Sequence, residues 1–64
     1  MNKDCEAIQK VIDAIENGAN ADDVIPYDLS HYSKDCYREL LMIYIKYGND
    51  INRVDIAKNK LREV

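Results

Sequence analysis

Ile8, Val11, Ile12 and Ile15 recur at three- and four-residue spacing, with Cys5, Ala7 and Ala14 on the same side of the wheel. This pattern predicts an amphipathic helix over about Asp4 to Asn17. Its opposite face collects Glu6, Gln9, Lys10, Asp13, Glu16 and Asn17, and Gly18 follows where a left-handed C-cap is wanted. Residues 19–28 read as a connection, because their polar start and Pro26 break a continuous helix. Proline is tolerated in a first turn, so Pro26 to Tyr32 is expected as a short helical piece, with Val24 and Ile25 anchoring the loop beneath it.

The most apolar stretch follows. Tyr32, Cys36, Tyr37, Leu40, Leu41, Ile43, Tyr44 and Tyr47 sweep about half of a helical wheel, and Met42 and Ile45 widen the apolar surface. A central helix over about 33–47 is expected, with Asp35 in its first turn, Lys46 in its last and Gly48 just beyond. Only Lys34, Asp35, Arg38, Glu39 and Lys46 form a charged stripe, so this helix should be packed on two sides. A last helix is predicted from an Asp50 or Asn52 cap, with Val54, Ala57, Leu61 and Val64 along one stripe and Ile56 pointing away from it. No alternating run or hairpin signal is present, so no strands are expected. The fold class is all-α: a single domain over residues 1–64 with three to four helices.

Length changes the picture. A chain of 64 residues buries only about 60% of the surface its unfolded form exposes, so a partner, a staple or very regular helix packing is usually needed. A homodimer satisfies that need. The net charge of -3 lacks the basic excess that phosphate neutralisation requires, which disfavours nucleic acid. The charge is uneven: residues 1–30 hold two basic against seven acidic groups, and residues 31–64 hold seven basic against five acidic. Such a split orients a partner or a second copy more than it adds affinity. No signal-peptide pattern and no apolar run near 18 residues is seen, and the expected location is cytoplasmic, off the membrane, with Cys5 and Cys36 reduced.

No constellation for chemistry emerges. His31 lies five residues before Cys36 without the further ligands zinc needs, and no third group orients the two as a nucleophilic pair. Asp22 and Asp23 lack the ligand repeat, central glycine and terminal glutamate of a calcium loop, and Gly18 and Gly48 stand alone rather than in a phosphate-cradling run. The expectation is no catalytic residue, no metal and no cofactor.

Aromatic usage is the feature that invites a functional reading. The chain has five tyrosines, no phenylalanine and no tryptophan, and a tyrosine offers a large apolar body with a polar tip suited to surfaces that are wet until a partner arrives. Tyr37, Leu41 and Tyr44 share a face, and with Tyr32 and Tyr47 they are the expected partner-binding residues of a non-enzymatic protein-interaction module, a small adaptor or inhibitor. The competing reading is a dimeric nucleic-acid-associated regulator in which Arg53, Lys58, Lys60 and Arg62 form a basic stripe on the last helix, diluted by Asp55 and Glu63.

The segments Ile15-Glu16-Asn17-Gly18-Ala19-Asn20-Ala21-Asp22 and Ile45-Lys46-Tyr47-Gly48-Asn49-Asp50-Ile51-Asn52 place glycines 30 residues apart. They resemble the helix-end and loop signature of ankyrin repeats, whose period is about 33. Ile25 to Ser30 resembles that family's helix-opening motif, Arg38 to Ile45 its second helix, and Asp55-Ile56-Ala57 the opening of a further repeat. The similarity covers roughly residues 8–57 and departs from the pattern at Ile25, where the family prefers threonine, and at Asp28, where it has histidine. The resemblance implies stacked helix pairs and a protein-binding role.

Overall fold

The structure, a computed structural model, describes the backbone of residues 3–63 and the side chains of residues 6–63. The expectations for Cys5 and Val64 therefore lie outside the described residues. Four helices follow in order: α1 (Lys3–Glu16), α2 (Ala21–Val24), α3 (Lys34–Tyr47) and α4 (Ile51–Glu63). The domain is all-α, with no strand among the described residues.

Each helix begins or ends on chemistry visible in the chain. Gly18 closes α1 with φ +98°, a left-handed conformation that only glycine adopts without strain, and its N–H and that of Ala19 donate to Ile15 and Ala14 carbonyls at 3.0 and 2.9 Å. Ser33 caps α3 by accepting from the Cys36 N–H at 3.3 Å. Asp50 caps α4, its carboxylate accepting from the Asn52 and Arg53 N–H groups at 3.0 and 3.3 Å.

The expected helical piece at Pro26 to Tyr32 is displaced. The short helix instead precedes the proline at Ala21–Val24, because Asn20 caps it by accepting from the Asp22 N–H at 3.0 Å and Asp22 and Asp23 suit its positive end. Ile25 is extended, at φ -102° and ψ 115°, as a residue before proline must be. Residues 25–33 then run as an irregular strap in which Asp28 accepts from both the N–H and the hydroxyl of Ser30, at 3.0 and 2.6 Å.

Helix α3 is central, as its broad apolar arc requires. It packs against α1, α2 and α4, while among the described residues α1 and α4 do not pack on each other. Four of its residues, Cys36, Leu40, Leu41 and Tyr44, join Val11, Ala21, Ile25, Leu29 and Ala57 in the buried core. Burying a side chain such as Leu40, 1% exposed, is worth about 1.5–3 kcal/mol. The backbone spans 30 × 27 × 15 Å, and the thin dimension is that of two helix layers about 8–10 Å apart. The 25–33 strap closes on the helices with Ile25 and Leu29 driven into the core.

Candidate functional site

Asp50 sets the first turn of α4 so that Arg53 turns inward, beneath the strap. Its guanidinium carbon lies 3.9 Å from the Tyr27 ring centre and 4.3 Å from that of Tyr44, within reach of the negative faces of both rings. One end nitrogen donates to the Asp22 carbonyl at 3.2 Å and the other to the Ile25 carbonyl. Arg53 is only 8% exposed, so these carbonyls and ring faces replace much of the water it gives up. Beside it the Tyr44 hydroxyl donates to the Asp22 carboxylate. Burial, then that bond to a negative acceptor, push the Tyr44 hydroxyl up to about 12, with Arg53 pulling weakly the other way. The arrangement ties α2, the strap, α3 and α4 together at one point.

This geometry divides the tyrosines that the sequence grouped on one face. Tyr44 and Leu41 are buried, at 2% and 5% exposure, and present almost no surface to a partner. The cause is α4, which covers that side of α3 with Arg53 and Ala57. Tyr47 is exposed on another side, beside a hollow of about 200 Å³ lined by Ile12, Ile15 and Ile43. Tyr32 and Tyr37 are half-buried and border a third region, joined there by Tyr27.

That region is an open cleft of about 800 Å³ between the strap, the start of α3 and the end of α4. Tyr27, Leu29, Tyr32 and Tyr37 supply its apolar bodies, and Lys34 and Lys60 bring positive charge. Asp28 and Glu63 oppose them at the margin. The Asp28 carboxyl is held below its ordinary range, first by the Ser30 hydroxyl and then by the Ser30 N–H, with His31 and Lys60 adding to the effect. Tyr27, Leu29 and Lys60 also border a separate crevice of about 50 Å³, largely apolar, lined by Ile25, Leu41, Ile56 and Ala57 with Arg53 and Tyr44.

The basic stripe expected on α4 loses its first member here, since Arg53 is inside the protein and unavailable to a phosphate. Lys60 belongs to the cleft. His31 is exposed with its ring tilted 35° on Tyr32 at 4.3 Å, whereas Cys36 is in the core. Among the described residues no three histidine, cysteine, aspartate or glutamate side chains converge as a metal site would need. No helix among them is long and apolar enough to cross a membrane.

Two residues of the site were not singled out in the sequence for their roles. Tyr27 was read as part of a connection. Arg53 was read as surface charge, and its one signal was weak: a cation in the first turn of a helix opposes the helix dipole by about 0.3–1 kcal/mol. Comparison with family models, characterised proteins and solved structures finds no match to this chain. The site therefore rests on its own geometry.

Proposed function

We propose that this chain is a non-enzymatic protein-interaction module, an adaptor or inhibitor, whose docking site is the cleft between the 25–33 strap, the start of α3 and the end of α4. The observation that carries this reading is the cleft itself, about 800 Å³ in a chain of 64 residues, with Tyr27, Tyr32 and Tyr37 on its walls. Tyrosine bodies supply apolar contact area while their hydroxyls satisfy polar groups of a ligand, the combination that enriches this residue at interfaces. Tyr27 is 73% exposed, an apolar area left uncovered in the isolated chain. The ankyrin-like helix ends support the same class, because the role that resemblance implies is protein binding.

The test is to select binding peptides from a display library against the intact chain and map each by amide chemical shifts. Shifts should concentrate at Tyr27, Leu29, Tyr32, Tyr37 and Lys60. Changing Tyr32 and Tyr37 together to serine should weaken such binders at least about tenfold, as loss of interface aromatics does. Tyr47→Ser should leave them unchanged. Binders that ignore the cleft pair and are lost with Tyr47→Ser would move the site to the α1–α3 hollow and overturn this reading.

A further inference from the structure

We infer that the cleft receives a proline-rich segment of the partner in the polyproline II conformation. Its pyrrolidine rings lie against Tyr27, Tyr32 and Tyr37, and its carbonyls accept from their hydroxyls and from the Lys34 and Lys60 ammonium groups. This names the partner class for the proposed docking site and rests on that reading.

The balance of donors and acceptors points to such a chain. Among the described residues no hydrogen bond engages the hydroxyls of Tyr27, Tyr32 and Tyr37 or the ammonium groups of Lys34 and Lys60, so water holds them until a ligand arrives. An ammonium group only donates, and each hydroxyl has a proton to donate. Side-chain acceptors are fewer: Asp28 is engaged by the N–H and hydroxyl of Ser30, which leaves Glu63 at the margin. A ligand that fits therefore presents more carbonyls than N–H groups. Proline does this, because it keeps its carbonyl and has no N–H, and a polyproline II chain pairs none of its carbonyls internally.

The ring faces supply the apolar half of the match. Tyr27 has one face on the Arg53 guanidinium, 3.9 Å from the ring centre, and at 73% exposure leaves the other to solvent. The His31 ring lies against Tyr32 with centres 4.3 Å apart, and Tyr32 and Tyr37 both pack on the core. Rings held in this way lose little freedom when a ligand covers them. A polyproline chain is rigid beforehand, so the ordering cost of binding is low on both sides, as in other aromatic-lined grooves that take proline-rich segments.

Other docking modes match the cleft less well. Among the described residues there is no strand edge for an extended chain to join. An amphipathic helix has its carbonyls paired within itself and offers few to the hydroxyls. An anionic segment meets Lys34 and Lys60 already offset by Asp28 and Glu63.

A capped polyproline peptide of about nine residues, three turns of that helix, is titrated into the intact chain while amide shifts are followed. Saturable shifts at Leu29, Tyr32, Tyr37 and Lys60 are expected, with a dissociation constant of about 1 mM or tighter. The same peptide with alanine for every proline should bind at least about tenfold more weakly, having lost both rings and rigidity. Changing Tyr32 and Tyr37 together to phenylalanine keeps the rings, with circular dichroism checking the fold, and should weaken polyproline about fivefold or more through the lost hydrogen bonds. Tyr47→Phe should leave it unchanged. The inference is overturned by no saturation at about 5 mM polyproline, by shifts centred on the α1–α3 hollow, by equal affinity for the alanine peptide, or by a phenylalanine pair that binds as tightly as wild type. Display-selected peptides that still map to the cleft would then keep the docking function for a partner of other chemistry, whereas the absence of any cleft-binding peptide would remove the docking function itself.

Discussion

The turn from Gly18 to Val24 and the turn from Gly48 to Val54 are built on one frame and end differently. In each, a glycine ends a long helix, one residue follows, and an Asx side chain accepts from the N–H two residues on, Asn20 from Asp22 and Asp50 from Asn52, both at 3.0 Å. The turns also touch, the Asn49 amide donating to the Asn20 side chain at 2.8 Å. Yet the first cap starts a helix of four residues and the second a helix of thirteen. Pro26 ends the first by forcing Ile25 out of helical conformation, and no proline follows Asp50. The residue after each cap differs more. Ala21 is 2% exposed and Ile51 is 83% exposed, since other parts of the chain close over the first turn and nothing among the described residues covers the second. Capping chemistry decides where these helices begin, and the neighbouring elements decide what they bury.

The two glycines separate these causes most sharply. A Cβ on Gly48 would stand 2.6 Å from the Tyr44 carbonyl oxygen and 2.6 Å from its ring Cζ, although its φ of -66° suits any residue. A Cβ on Gly18 would meet nothing within 4 Å, and there the objection is the φ of +98°. Gly48→Ala should cost about 3 kcal/mol, the upper range for overpacking, because the carbonyl it strikes accepts the Gly48 N–H. Gly18→Ala should cost about 1–2 kcal/mol of backbone strain. Against a total of roughly 3–10 kcal/mol expected for this length, the first change comes near unfolding the chain and the second does not. Urea unfolding followed by circular dichroism reads both, and a Gly48→Ala cost near zero would mean that the close approach is relaxed at no expense.

Tyr44 links the two turns, with its hydroxyl on Asp22 of the first and its ring under Arg53 of the second. Tyr44→Phe keeps the ring contact and removes the hydrogen bond, for an expected loss of about 2 kcal/mol, as for bonds to charged partners. The pH dependence follows from the raised hydroxyl, about 12 in the fold against 10.0 in the unfolded chain. Between these values the unfolded chain releases the proton first, so the stabilisation is complete below pH 10 and declines as pH rises toward 12. The gap between wild type and Tyr44→Phe should therefore narrow over that interval in parallel urea titrations. A constant gap would show that the hydroxyl is not shielded as the structure places it.

Much of the fold was legible because it rests on local chemistry. Gly18, Ser33 and Asp50 mark helix limits through conformational freedom and side-chain acceptors within a few residues. The wide apolar arc of α3 announced a helix packed on two sides, and it has α1 and α4 there. The site was less legible because helical periodicity places residues on one face without saying which neighbour covers it. Tyr37 and Tyr44, seven residues apart, look equivalent on the wheel, but α4 closes over Tyr44 and leaves Tyr37 at the cleft. The strap that completes the cleft has no periodicity, so nothing in its pattern announced that Leu29 would go inside and Tyr27 would lie over Arg53.

Ile51 carries the smallest expected effect and sharpens the comparison most. At 83% exposure it has almost no apolar area to lose, so Ile51→Lys should change stability by no more than about 0.5 kcal/mol. The matching enlargement on the first turn, Ala21→Ile, should cost about 1–3 kcal/mol because that position is already filled around. The contrast holds only for an isolated chain. A second copy seated on Ile51 would bury it and make the lysine costly, and the cost would then grow with protein concentration as dimerisation couples to folding. Light scattering across a concentration series, run with the unfolding measurements, separates the cases. A monomer that tolerates Ile51→Lys leaves the second turn open in solution, and a dimer that the substitution dissociates places that turn at the interface between copies.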